Sequence, residues 1–143
     1  MKSIIYEFDP VIYPYPVLIT KQFKAGELAE LFYVLDTANN LNEADAEDFL
    51  PNGSVIARTL FVVSKKSHMR YVIILMVRPK EIMEGCISHE SMHATNMIAE
   101  SLGFLPQKST EDEPCAYLSQ WIANCMASVK KGYTDTMKGK RYD

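Results

Sequence analysis

The chain has 143 residues, 48% of them hydrophobic and 23% charged, with a formal net charge of -3. That length fits one domain whose core needs no disulfide staples, and the composition excludes a disordered or fibrous chain. The slight excess of acid argues against nucleic acid as the main partner.

The cysteines, Cys86, Cys115 and Cys125, are odd in number and form no C-x-x-C pair. They read as reduced thiols of a cytoplasmic protein. Met1 to Tyr6 shows no basic region leading into an apolar one, so no signal peptide is expected. The longest apolar run, Tyr71 to Val77, falls far short of the roughly 20 residues of a membrane span, so no membrane partner is expected.

In chain order, Ser3 to Pro16 is apolar, aromatic and rich in proline, with Pro10, Pro14 and Pro16. That density of proline excludes a central strand or a helix interior. Val17 to Thr20 reads as a short strand. After Gly26, Glu27 to Asp36 reads as a helix with Leu28, Leu31, Phe32 and Leu35 at helical spacing. Thr37 to Gly53 is polar, with one short helix near Glu43 to Phe49 and a closing Pro51-Asn52-Gly53 turn. Val55 to Ser64 and Arg70 to Val77 form the arms of a hairpin around Lys65 to Met69. The second arm is nearly all apolar and is expected to be buried on both faces. Pro79 stops it, and a helix runs from about Lys80 to Leu102 with Gly103 as its stop. Phe104 to Lys108 is a loop, and a last helix spans about Glu111 to Val129. Lys130 to Asp143 is basic and polar. The expected organisation is one domain over residues 1–129 and a mobile tail over 130–143.

The chemistry concentrates in His89-Glu90-Ser91-Met92-His93, an H-E-x-x-H pentapeptide. On a helix its histidines lie four residues apart on one face, where a single zinc ion can bind both. The glutamate between them is placed to polarise a water on that ion. At about 100° per residue, Ile82, Met83, Cys86, Ile87, Ala94, Met97 and Ile98 share an apolar face. His89 and His93 sit at its edge and Glu90 near its middle, a costly place for a carboxylate without a task.

Two histidines need a further protein ligand. The longer H-E-x-x-H-x-x-G-x-x-H pattern would need glycine at Asn96 and histidine at Ala99. Met97 stands where a histidine one turn after His93 would be. Glu100 lies about 10 Å along the axis, and His68 reads as a solvated turn histidine. The nucleobase deaminase pattern is also absent, because the H-x-E order does not occur. Cys86 reads as a small core residue. On the last helix, Cys115, Leu118, Ile122, Cys125, Met126 and Val129 form a core stripe. Glu113, Tyr117, Gln120, Trp121 and Asn124 lie nearly opposite and read as facing a cleft. Glu113 is the preferred ligand, and the competing reading is a Thr110-x-x-Glu113 capping box.

H-E-x-x-H followed about twenty residues later by a helix-borne glutamate resembles the gluzincin metallopeptidases. HESMHATNMIAESLG together with EDEPCAYLSQWI resembles more closely a group of short phage- and prophage-encoded zincin-like proteins, over Arg58 to Met126. The resemblance implies an α+β, minimal zincin-like domain. In it a small twisted, mostly antiparallel sheet packs on the H-E-x-x-H helix and on a C-terminal glutamate helix. It implies zinc held by His89, His93 and Glu113, with Glu90 as general base in hydrolysis of a peptide or protein substrate in the cytoplasm of a bacterial host. Val55 to Ser64 would be the strand along which an extended peptide lies. Many gluzincins carry aspartate four residues after the ligand glutamate. Tyr117 stands there instead, and would either orient a ligand or stabilise the oxyanion. The alternative is a catalytically silent zinc protein acting in phage assembly or host interaction.

Overall fold

A computed structural model describes residues 2–36, 38–51, 53–104, 108–132 and 137–142. Its strands are β1 (Ile4–Phe8), β2 (Val17–Gln22), β3 (Phe32–Leu35), β4 (Leu41–Glu43), β5 (Ala57–Ser64), β6 (Arg70–Met76) and β7 (Lys140–Arg141). Its helices are α1 (Ala25–Leu31), α2 (Ala46–Phe49), α3 (Glu84–Leu102) and α4 (Glu113–Lys131). The fold is α+β, with one mixed sheet in the order β4-β3-β5-β6-β2-β1-β7. β2 and β6 run parallel, and every other neighbouring pair is antiparallel.

The centre of the sheet follows from β6. Its side chains alternate between faces with period two, and both faces are apolar. Val72, Ile74 and Met76 join Val17 and Ile19 of β2 in one core with Ala94 and Ile98 of α3 and Leu118, Ile122, Cys125 and Met126 of α4. Tyr71, Ile73 and Leu75 join Leu18 in a second core with Leu28 of α1 and Phe49 of α2. β6 is thus covered on both sides, as its unbroken apolar run predicts. The hairpin to β5 closes through Lys65–Met69, where Ser67 N–H donates to Ser64 Oγ at 3.1 Å and His68 N–H to the Ser64 carbonyl at 2.8 Å.

Several elements depart from the sequence reading. The helix read as Glu27 to Asp36 ends at Leu31, and Phe32-Tyr33-Val34-Leu35 turns into β3. Phe32 and Leu35 are buried in either conformation, and this aromatic and β-branched run pairs with Val62–Ser64 of β5. The Ser3 to Pro16 stretch holds a strand in its proline-free first half, while Pro10, Pro14 and Pro16 fall in the connection to β2. The helix read from Lys80 breaks first. Pro79–Glu81 is a single 3₁₀ turn, Met83 is extended, and α3 starts at Glu84. Gly103 does end it, in the left-handed conformation at φ 79°. The Pro51-Asn52-Gly53 turn and the Phe104 to Lys108 loop fall partly outside the described residues.

The C-terminal stretch read as a tail returns to the sheet. Tyr6 pairs with Arg141 and Glu7 with Lys140. Tyr142 packs against Phe32 and Tyr71 at centroid distances of 5.6 Å each. The return needs Gly139, because a Cβ there would lie 2.5 Å from Cε1 of the fully buried Phe8. Gly139→Ala is expected to destabilise the fold by about 1–3 kcal/mol through this overpacking, measured by urea denaturation. An unchanged midpoint would mean that β7 contributes nothing to stability. No helix among the described residues is long and apolar enough to cross a membrane.

Candidate metal centre

α3 carries the candidate site. Glu84 opens the helix, and its inner side mixes apolar residues with small hydroxyls. Ser91 Oγ donates to the Ser88 carbonyl at 3.0 Å and Thr95 Oγ1 to the Ser91 carbonyl at 2.7 Å. Each hydroxyl is satisfied within its own helix, so both residues can be buried where α3 meets α4. Ser91 Oγ lies 3.4 Å from Ser119 Oγ on α4. Two residues back and two residues on, His89 and His93 are each turned about 200° away from Ser91. Both histidines are therefore exposed on the side of α3 turned away from that contact.

Their Nε2 atoms are 3.1 Å apart, with ring centroids at 4.6 Å and planes at 84°. Imidazole nitrogens bind zinc at about 2.0–2.1 Å, so two that share one ion cannot be more than about 4.2 Å apart. The pair fits one ion. Glu90 sits beside it but inside the protein, only 6% exposed. One carboxylate oxygen, Oε1, accepts a 2.8 Å hydrogen bond from Thr59 Oγ1 on β5. The other, Oε2, lies 3.8 Å from His89 Nε2. His89, Glu90 and His93 offer donor atoms all within 4.8 Å of one another, the one such group among the described residues.

No protein-family model, no curated protein and no solved structure matches this chain.

The other sequence candidates lie elsewhere. Glu113 does not join the donor group. It is the first residue of α4, with Asp112 as the N-cap and Pro114 next. The box that would make Thr110 the cap is therefore not formed. Glu113, Tyr117 and Trp121 do share one cleft, as their spacing of four predicts. They line it with the β1–β2 connection and not with α3. Glu100 is exposed near the far end of α3 and His68 is exposed in the hairpin turn. Cys86 is half-buried against the core, and burial, then the Glu90 charge, raise its thiol pKa.

Thr59, which donates to Glu90, is the contact to the candidate site that sequence reading missed. Its only signal was strand alternation. Ala57, Thr59 and Phe61 share a face of β5, and Ala57 and Phe61 pack on the α3–α4 core. Nothing in the sequence tied that face to Glu90.

Burial pushes the Cys125 thiol from its ordinary 9.0 to about 12. Because the neutral form is the buried one, this contribution to stability is full below pH 9 and is lost as pH rises toward 12. At pH 8, iodoacetamide should leave Cys125 unmodified in the folded protein and alkylate it in urea. Modification of folded Cys125 at the rate of a free thiol would contradict the packing.

Proposed function

We propose that this chain is a zinc-dependent hydrolase, most simply a metallopeptidase. The observation that carries the reading is the exposed His89/His93 nitrogen pair with a buried carboxylate beside it. His89 and His93 would hold the ion; the described residues offer no donor beyond Glu90 to complete the three protein ligands usual for zinc, so the remaining positions would fall to water and substrate. Zinc, when bound there, supplies a Lewis acid that polarises a carbonyl and makes water acidic near neutral pH.

The protein's own groups have distinct tasks. Thr59 pins Glu90 Oε1, which fixes the carboxylate and leaves Oε2 toward the histidines. From there Oε2 takes a proton from the attacking water and returns it to the leaving amine. β5 supports a peptide as substrate. β3 pairs with β5 only over Val62–Ser64. The outer edge of Ala57–Phe61 has no strand neighbour among the described residues, and Thr59 lies in the middle of it. An extended peptide adding to that edge would pass beside Glu90. Glu113 and Tyr117 receive no part in this reaction, since the cleft they line has no wall from α3.

The test is cleavage of a mixed peptide library by the zinc-loaded protein. Hydrolysis should stop on chelation and return with zinc. Zinc bound at the histidines with no cleavage of any peptide would remove the enzyme reading and favour a silent metal site used in assembly or host interaction.

A further inference from the structure

A second feature of the molecule stands apart from the histidines. α4 and the β1–β2 connection enclose a cavity of about 470 Å³, within the range of small-molecule sites. Pro10, Ile12 and Tyr13 form one wall, and Tyr117, Trp121 and Glu113 the other. Three aromatic rings and one carboxylate thus meet in an otherwise apolar space. Tyr13 is fixed by stacking on Phe104 at 5.4 Å. Ile12 and Tyr117 are 78% and 67% exposed, so the mouth is open to solvent.

Among the described residues, Glu113 is the one charged residue of the lining. Glu111, Asp112 and Glu113 are consecutive and exposed at the start of α4. Lys108, whose carbonyl accepts from the Glu111 N–H, and the helix N-terminus together add about one and a half positive charges, which the three carboxylates outweigh. The three lysine or arginine ion pairs among the described residues involve Glu43, Glu81 and Glu7, so none of them neutralises Glu113. Aromatic faces attract cations, and a carboxylate beside them adds a direct partner.

We propose that this cavity binds a small organic cation, an amine or guanidinium carried on an aromatic or alkyl body. The body fills the space between Tyr13, Tyr117 and Trp121, and the cationic head meets Glu113. The cavity shares no residue with the His89–Glu90–His93 group, so this site is independent of the metal.

Trp121 is the single tryptophan of the chain, which makes its fluorescence a direct reporter. The protein would be titrated with 2-phenylethylamine, 2-phenylethanol and phenylacetate, which share a ring and differ in charge. The amine should change Trp121 emission saturably and bind about tenfold tighter than the alcohol, with phenylacetate weakest. Glu113→Gln should bring the amine down to the alcohol's affinity while the melting temperature stays near wild type. Tyr117→Ala should weaken amine and alcohol alike. Equal binding of amine and alcohol by the wild type, no saturable response to the amine, or an amine preference that survives Glu113→Gln would each overturn the proposal. The last result is also what a carboxylate serving only the helix dipole predicts.

Discussion

Glu90→Gln should keep its metal and its fold and lose peptide hydrolysis by a factor of about 10² to 10⁴. The substitution is nearly isosteric. The glutamine carbonyl can still accept the hydrogen bond that Thr59 Oγ1 gives to Oε1, so the contact between β5 and α3 survives. What disappears is the second oxygen, the one that faces His89. An amide nitrogen there has no lone pair to take a proton from water and none to hand on. Because Glu90 is almost wholly buried, removing its charge also removes a desolvation cost, and stability should be unchanged or raised. Thr59→Val makes the complementary change. It leaves a buried carboxylate oxygen without its donor, at a cost of about 1–3 kcal/mol, and frees the carboxylate to turn. Activity of Glu90→Gln within a few-fold of wild type would show that another group accepts the proton.

His93→Ala should abolish zinc binding, taking the metal content from about one ion per chain to none. One imidazole cannot replace a chelating pair. The ring is exposed, so truncating it opens no cavity, and the metal-free melting temperature should match the metal-free wild type. The difference should appear on adding zinc. The wild type should gain stability in proportion to RT ln(1 + [zinc]/Kd), and the variant should not. Glu113→Ala provides the contrast. Glu113 lies outside the donor group, so its loss should leave zinc affinity within a few-fold of wild type. Isothermal titration of both variants decides between them. Zinc retained by His93→Ala and lost by Glu113→Ala would invert the site drawn from α3.

Much of the site was legible because its signal is local. The H-E-x-x-H spacing on an amphipathic stretch places His89 and His93 within reach of one ion whatever the sheet does. β6 was legible for a similar reason, since its apolar run has no room for a wet face. The errors arise where local pattern and tertiary pairing compete. Phe32 and Leu35 satisfy a helical stripe and a strand equally, and pairing with β5 decides between them. Of the α4 face with Glu113, Tyr117, Gln120, Trp121 and Asn124, only Glu113, Tyr117 and Trp121 line a cleft among the described residues, and periodicity does not say which neighbour completes it. The neighbour is the β1–β2 connection. Ser91 and Ser119 bear on this, because their hydroxyls meet where α3 packs on α4, on the side of α3 away from the histidines. The strand at Lys140–Arg141 was invisible because two charged residues carry no β pattern. What holds them is the floor under Gly139 and the rings around Tyr142.

The strand order also governs how the chain can be made. β2 leaves the ribosome well before β6, yet the two lie side by side, with Val17–Thr20 matched to Val72–Leu75. Everything from α1 to β6 must be synthesised before that parallel pair can close, and α3 and α4 must follow before its apolar face is covered. β1 waits longer still, since its outer neighbour is β7. Long-range pairings of this kind slow folding more than they weaken the folded state. Until they form, the newborn chain exposes a row of branched apolar residues with an open strand edge, the state most prone to associate with its own copies. A nascent chain halted before Lys140 would keep that edge on β1. Such truncated forms should be recovered bound to chaperones or in aggregates, while the chain with β7 paired to β1 stays dispersed.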